Sequence, residues 1–149
     1  MLRRIRDHRS GQTGSFRGEA SFRPRAARSV RQAGRASGPA EGDADDRVLA
    51  YHEHGELQFG GHRGPASRSL LYRELADGSA DVRFADGREF YRLDLRRGTW
   101  RAEHPCRADT YQVSVTRHGA DSFTETWHVA GPDKDYELIT TYTRTGARE

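Results

Sequence analysis

The sequence predicts an all-β protein, an antiparallel up-and-down barrel of about ten short strands, and three observations carry that expectation. Apolar residues recur with a period of two in one run after another. Turn-forming pairs separate those runs at hairpin spacing. Outside residues 24–47 no stretch of helical length carries an amphipathic helical pattern. The chain has 149 residues, which suits one domain around a single core. Consecutive antiparallel strands in this number lose their edges most simply by closing on themselves. A β-sandwich is the alternative.

The elements follow in order. "SFRGEASF" puts Phe16, Gly18, Ala20 and Phe22 on one face, with Arg17, Glu19 and Ser21 on the other. Residues 24–47 are rich in Ala, Gly, Ser, Pro and charge and lack aromatic residues, so they are expected to form a disordered insertion between the second and third strands. In "HEH" at 52–54, His52 and His54 share a strand face and Glu53 takes the other. Turn signals follow at Asp77-Gly78 and Asp86-Gly87. "YQVSV" then aligns Tyr111, Val113 and Val115, and His118-Gly119 marks the next turn. "FTETWHV" aligns Phe123, Trp127 and Val129. After the Gly131-Pro132 turn, "YELITTY" sets Leu138 and Tyr142 against Ile139.

Composition narrows the function classes. Hydrophobic residues make up 34% and charged residues 32%, a balance that suits a thin-walled barrel better than a helical bundle. No apolar run approaches the roughly 20 residues of a membrane-spanning helix, and no signal peptide is visible, so no membrane partner is expected. Cys106, the one cysteine, has no internal disulfide partner, which points to a reducing, cytoplasmic setting. The net charge of +3 is unevenly spread: residues 1–35 carry +8 and the rest −5. A basic run from Arg23 to Arg35 is followed at once by the acidic "EGDADD". Such an arm can hold phosphates, but its neutralising neighbour disfavours nucleic acid as a partner.

Two stretches concentrate reactive side chains. "EHPCRADTY" (103–111) places His104, Cys106, Asp109 and Tyr111 within nine residues. A thiol beside an imidazole can become a nucleophile, with a carboxylate orienting the ring. His104, Cys106 and Asp109 are therefore the catalytic candidates, although alternation sends His104 and Cys106 the same way only if the strand runs through Pro105. Three mixed ligands fall short of a structural zinc site, so no metal is expected. The second stretch holds Lys134, the only lysine in a chain that otherwise takes its positive charge from arginine. Asp133 and Asp135 flank it and are expected to favour its charged form. A compact ammonium offers what a guanidinium cannot.

With those residues in view, the chain resembles a family of unknown function, domain family 6314, of small bacterial and fungal proteins. The resemblance rests on "RIRD" (4–7), "GSFRGEASF" (14–22), "YHEHGELQF" (51–59), "DVRFADGREFYRLDL" (81–95), "EHPCRADTY" (103–111) and "WHVAGPDKDYELITTYTR" (127–144). It implies a calycin-like or lipocalin-like barrel with no established activity. Its signature covers His104, Cys106, Asp109, Tyr111, Trp127, Lys134 and Tyr136 without giving them roles. The chain departs from the pattern at Tyr91, where the family usually has histidine, and before "RIRD", where a Trp-bearing strand is usual. Arg144 is placed to cover that tryptophan. A wider similarity to haem-binding nitrobindin-like barrels raises haem, which is disfavoured because residues 136–144 hold no histidine and His128 alternates away from Trp127. No cofactor is identified.

The leading functional expectation is a barrel that binds one small apolar or amphipathic molecule in its interior. Phe16, Trp127, Val129 and Tyr142 would line the cavity, with Gly18 and Ala20 leaving room. His104, Tyr111 and Lys134 would supply polar contacts at one mouth. The alternative is an enzyme using His104, Cys106 and Lys134 at the rim, and a third reading is weak nucleic-acid contact through the basic segment.

Overall fold

The computed structural model describes residues 1–25 and 47–146, and its regular elements are ten strands. They are β1 (Leu2–Asp7), β2 (Thr13–Arg25), β3 (Val48–Phe59), β4 (His62–Glu74), β5 (Ala80–Phe84), β6 (Glu89–Leu93), β7 (Thr99–Cys106), β8 (Asp109–Arg117), β9 (Ser122–Ala130) and β10 (Asp135–Thr143). Residues 26–46, most of the expected insertion and of the basic segment, lie outside the described residues. Its first two residues are strand: Pro24 and Arg25 pair with Leu49 and Val48.

All neighbours are antiparallel, in the order β6-β5-β4-β3-β2-β1-β10-β9-β8-β7. The pairing of β1 with β10 joins the two chain ends and bends the sheet into a nearly closed up-and-down barrel. The remaining seam lies between β6 and β7. There the Trp100 indole N–H donates to the Arg92 carbonyl across the gap at 2.6 Å. The barrel expectation therefore holds, and the sandwich alternative does not.

Pro105 is part of β7, opposite Thr110, so the strand runs on to Cys106. An edge strand tolerates proline because its missing N–H is turned away from the ladder. β7 is such an edge, which explains why the proline does not end it.

The alternation read from the sequence is the inside-outside alternation of the wall. Phe16, Tyr51, Leu70, Val82, Val113, Val115, Trp127 and Val129 are buried, whereas His52, His54 and His128 stand outside. Fully burying a side chain of this kind contributes about 1.5–3 kcal/mol. Gly18, however, does not leave cavity space. It pairs with Gly55, and a Cβ on Gly18 would lie 2.1 Å from the His54 carbonyl oxygen and 2.8 Å from the Gly55 Cα. A Cβ on Gly55 would lie 2.2 Å from the Arg17 carbonyl oxygen. The two missing side chains are taken up by a close approach of β2 and β3, which lets these long strands coil around the barrel.

Candidate functional site

The inward side chains form three zones between two mouths. At the first mouth, where β1 starts and β10 ends, the aromatic rings cluster. Phe22 lies 4.9 Å from Tyr51 and 5.3 Å from Tyr72 between ring centroids, and Phe123 stacks on Tyr142 at 4.3 Å. A pocket of about 330 Å³ opens here, lined among others by Met1, Phe22, Leu95, Phe123, Tyr142 and Arg144. Phe22 keeps 41% of its surface exposed, large for an aromatic on an inward face. Arg144 reaches Asp121 at 3.5 Å on the rim, both exposed.

The second mouth is built from the β7–β8 and β9–β10 turns, and side chains of the two turns pair across it. Lys134 Nζ pairs with Asp109 Oδ2 at 2.6 Å and donates to the Tyr111 hydroxyl at 3.3 Å. Gly131 makes room for this: a Cβ there would fall 1.9 Å from Asp109 Oδ1. Its amide also donates to the Lys134 carbonyl at 2.9 Å and tightens the turn. The expected flanking partners of Lys134 are not its partners. Asp135 turns to His128 at 3.2 Å, because residues adjacent along an extended chain point to opposite sides. The Asp109 hydrogen bond, followed by that of Tyr111, holds the Lys134 ammonium well above its ordinary value, so it is a fixed cation and not a proton acceptor. Beneath it, burial and then the Tyr111 neighbour push Tyr136 up to about 12.

The triad chemistry considered for His104, Cys106 and Asp109 has no assembled geometry. Asp109 is engaged by Lys134. The His104 ring packs edge-on against Phe90, Phe84 and Tyr111 at 5.4, 6.2 and 6.2 Å. Cys106 is exposed at the end of β7. Among the described residues no hydrogen bond joins the imidazole to the thiol or to Asp109. Nor do any three His, Cys, Asp or Glu side chains among them group as metal ligands.

The three polar residues expected at one mouth do share one, while the residues expected to line the cavity spread along the barrel. His104, Tyr111 and Lys134 sit at the second mouth, Tyr142 at the first, and Phe16, Trp127 and Val129 between them. Lys134 and Tyr142 are eight residues apart along extended chain, roughly 26 Å.

Sequence reading passed over the middle zone, which is polar. Arg3 grips Glu53 with two parallel bonds of 2.8 and 2.9 Å, and its Nε donates to Thr140 Oγ1 at 2.8 Å. Arg68 Nη2 reaches the same carboxylate at 3.3 Å. The Tyr51 hydroxyl donates to it too, and meets the Tyr142 hydroxyl at 3.0 Å. Burial alone would lower the Arg3 value and raise that of Glu53. The hydrogen bond between them and the neighbouring charges outweigh it, so both are held in their ionised forms.

Glu125 is treated differently. It is 5% exposed, and its Oε2 has only a long 3.4 Å contact from the Tyr91 hydroxyl. Among the described residues its Oε1 has no partner, and neither does Trp127 Nε1 or Arg68 Nε, all three atoms being buried. Burial and then the nearby Glu125 charge raise Tyr91 and Tyr142, which places the carboxylate among their hydroxyls.

A signal for these residues was present. Glu53 takes the face opposite His52 and His54, and Glu125 falls in the inward register of Phe123, Trp127 and Val129. A charged residue at an inward position is costly unless paired or used.

Comparison with known proteins places the whole of this architecture in one family. The model of the family of unknown function DUF6314 matches residues 1–144. The chain belongs to DUF6314. The match takes in both mouths and the polar zone of the DUF6314 barrel. No curated protein and no solved structure matches the chain.

Proposed function

We propose that this DUF6314 barrel binds a small amphipathic molecule, admitted through the Phe22–Tyr142 mouth. One observation carries the reading: an open, mainly apolar pocket sits one strand step above a buried polar layer that is not fully bonded. The pocket volume of about 330 Å³ falls at the small end of the usual ligand-site range of about 300–1,000 Å³. Glu125 and Thr140 are the next inward residues below Phe123 and Tyr142, roughly 7 Å deeper. An apolar portion would rest against Met1, Phe22, Leu95 and Phe123, with the polar end directed inward.

Polar anchoring is thus assigned to the interior and not to Lys134, which pairs with Asp109 and bonds to Tyr111 at the far mouth. Native mass spectrometry with eight-carbon amphiphiles (octanamide, octanoate, octylamine and 1-octanol) tests the reading. One of them is expected to be retained at one-to-one stoichiometry, and Phe22→Ala is expected to weaken retention about fivefold. Retention of none of them by the folded protein would overturn the proposal.

A further inference from the structure

We infer that the interior zone between Glu125, Trp127 and Arg68 is a recognition site for a neutral donor–acceptor group of the carboxamide or lactam class. This rests on the binding reading above and specifies the end of the ligand that points inward.

The observation is an unmatched set of buried atoms. Among the described residues, Glu125 Oε1 is an acceptor without a donor, while Trp127 Nε1 and Arg68 Nε are donors without an acceptor. Buried polar atoms of folded proteins are overwhelmingly paired, so three in one region call for an occupant. The side chains belong together. Glu125 and Trp127 are successive inward residues of β9, and both touch Tyr91, through its hydroxyl at 3.4 Å and its ring at 5.2 Å. Arg68 enters from β4, its guanidinium 3.3 Å from Glu53 Oε2 and 6.0 Å from the centre of the Tyr51 ring, whose hydroxyl meets that of Tyr142.

Donors and acceptors decide the class. An anionic head has no N–H to give Glu125 Oε1. A cationic head could pair with Glu125, but it would leave both donors unmet and add charge beside Arg68. A carboxamide or lactam meets the set without adding charge, its N–H donating to Glu125 Oε1 and its carbonyl accepting from Trp127 Nε1 or Arg68 Nε. A site built to bond such a group rejects an analogue that lacks one half of it, because its own buried atoms are then left unpaired.

The test compares octanamide, octanoate, octylamine and N,N-dimethyloctanamide by calorimetric titration of the protein, Glu125→Gln and Trp127→Phe. Circular dichroism verifies folding, and Trp127→Phe, which keeps an aromatic plate, serves if Glu125→Gln fails to fold. Octanamide is expected to bind at least tenfold more tightly than the other three compounds. Glu125→Gln should weaken octanamide at least fivefold while leaving the dimethyl compound, which has no N–H to donate, unchanged, and Trp127→Phe should weaken octanamide at least fivefold by removing a donor to the carbonyl. Tighter binding of octanoate or octylamine would overturn the head-group assignment while leaving the binding reading in place. Equal binding of all four compounds would do the same, showing that water alone serves the buried atoms. If none of the four bound, both inferences would fall together.

Discussion

The two mouths of the barrel are made of similar materials and put to opposite uses. At the Lys134 end, a cation, a carboxylate and a phenol bond to one another across two turns, and the aromatic rings of Phe84, Phe90 and His104 pack together. At the Phe22 end the aromatic rings stand around a pocket, and the polar atoms below it are left partly unbonded. The lesson is that rarity in the sequence and an unmatched environment are separate signals. Lys134 is compositionally unique, and its ammonium has partners in Asp109 and Tyr111. Glu125 is one acidic residue among many, and its Oε1 has none among the described residues.

The sharpest way to break this comparison is to disturb the satisfied part of the interior. Glu53→Ala leaves Arg3 and Arg68 facing each other without their carboxylate, and breaking a buried pair in this way costs about 3–5 kcal/mol. The expected result in urea denaturation is a collapse of most of the barrel's stability. A loss under about 1 kcal/mol would show that the pair is water-exposed in solution. Gly18→Ala comes next, since its Cβ meets backbone and not a movable side chain. The expected cost is about 1–3 kcal/mol, as for other overpacked sites, again measured by urea denaturation.

Titration gives a third, subtler test. Burial would raise Glu53, but its guanidinium partners pull it below the ordinary value, so its contribution is present above the unfolded value of about 4.3 and is lost as pH falls further. At the alkaline end the sign reverses. Burial above all holds Tyr51, Tyr72, Tyr91, Tyr136 and Tyr142 above their ordinary value. The stability tied to these phenols is intact below the unfolded value of about 10 and drains away as pH rises past it, with Tyr136 ionising near about 12. Absorbance at 295 nm should therefore show most of the six tyrosines titrating together with unfolding. Smooth ionisation of all of them near pH 10 in folded protein would contradict the buried network. The smallest expected effect is that of Lys134→Arg, which should leave ligand retention unchanged in native mass spectrometry.

The fold was largely legible, and the site only partly. Period-two runs such as "FTETWHV" were enough to orient β9, because burial on one side forces alternation. Pro105 misled only locally, since its tolerance depends on β7 being an edge, which no local pattern reveals. Gly18 read as spare volume because a close strand approach is a property of the pair with Gly55, thirty-seven residues away. Lys134 was legible as unusual, but its true partner, Asp109, arrives from another hairpin. Glu125 stood in plain view within an inward-facing run. Its importance lies in an absent partner, and an absence becomes visible only when the surrounding strands are in place.

The comparison between the mouths can be settled by mapping amide chemical shifts of the ¹⁵N-labelled protein during titration with octanamide. The changes are predicted to concentrate at Ala20, Phe22, Phe123, Glu125 and Tyr142, with those of His104, Tyr111 and Lys134 unmoved. Changes centred on the Lys134 mouth instead would contradict the account.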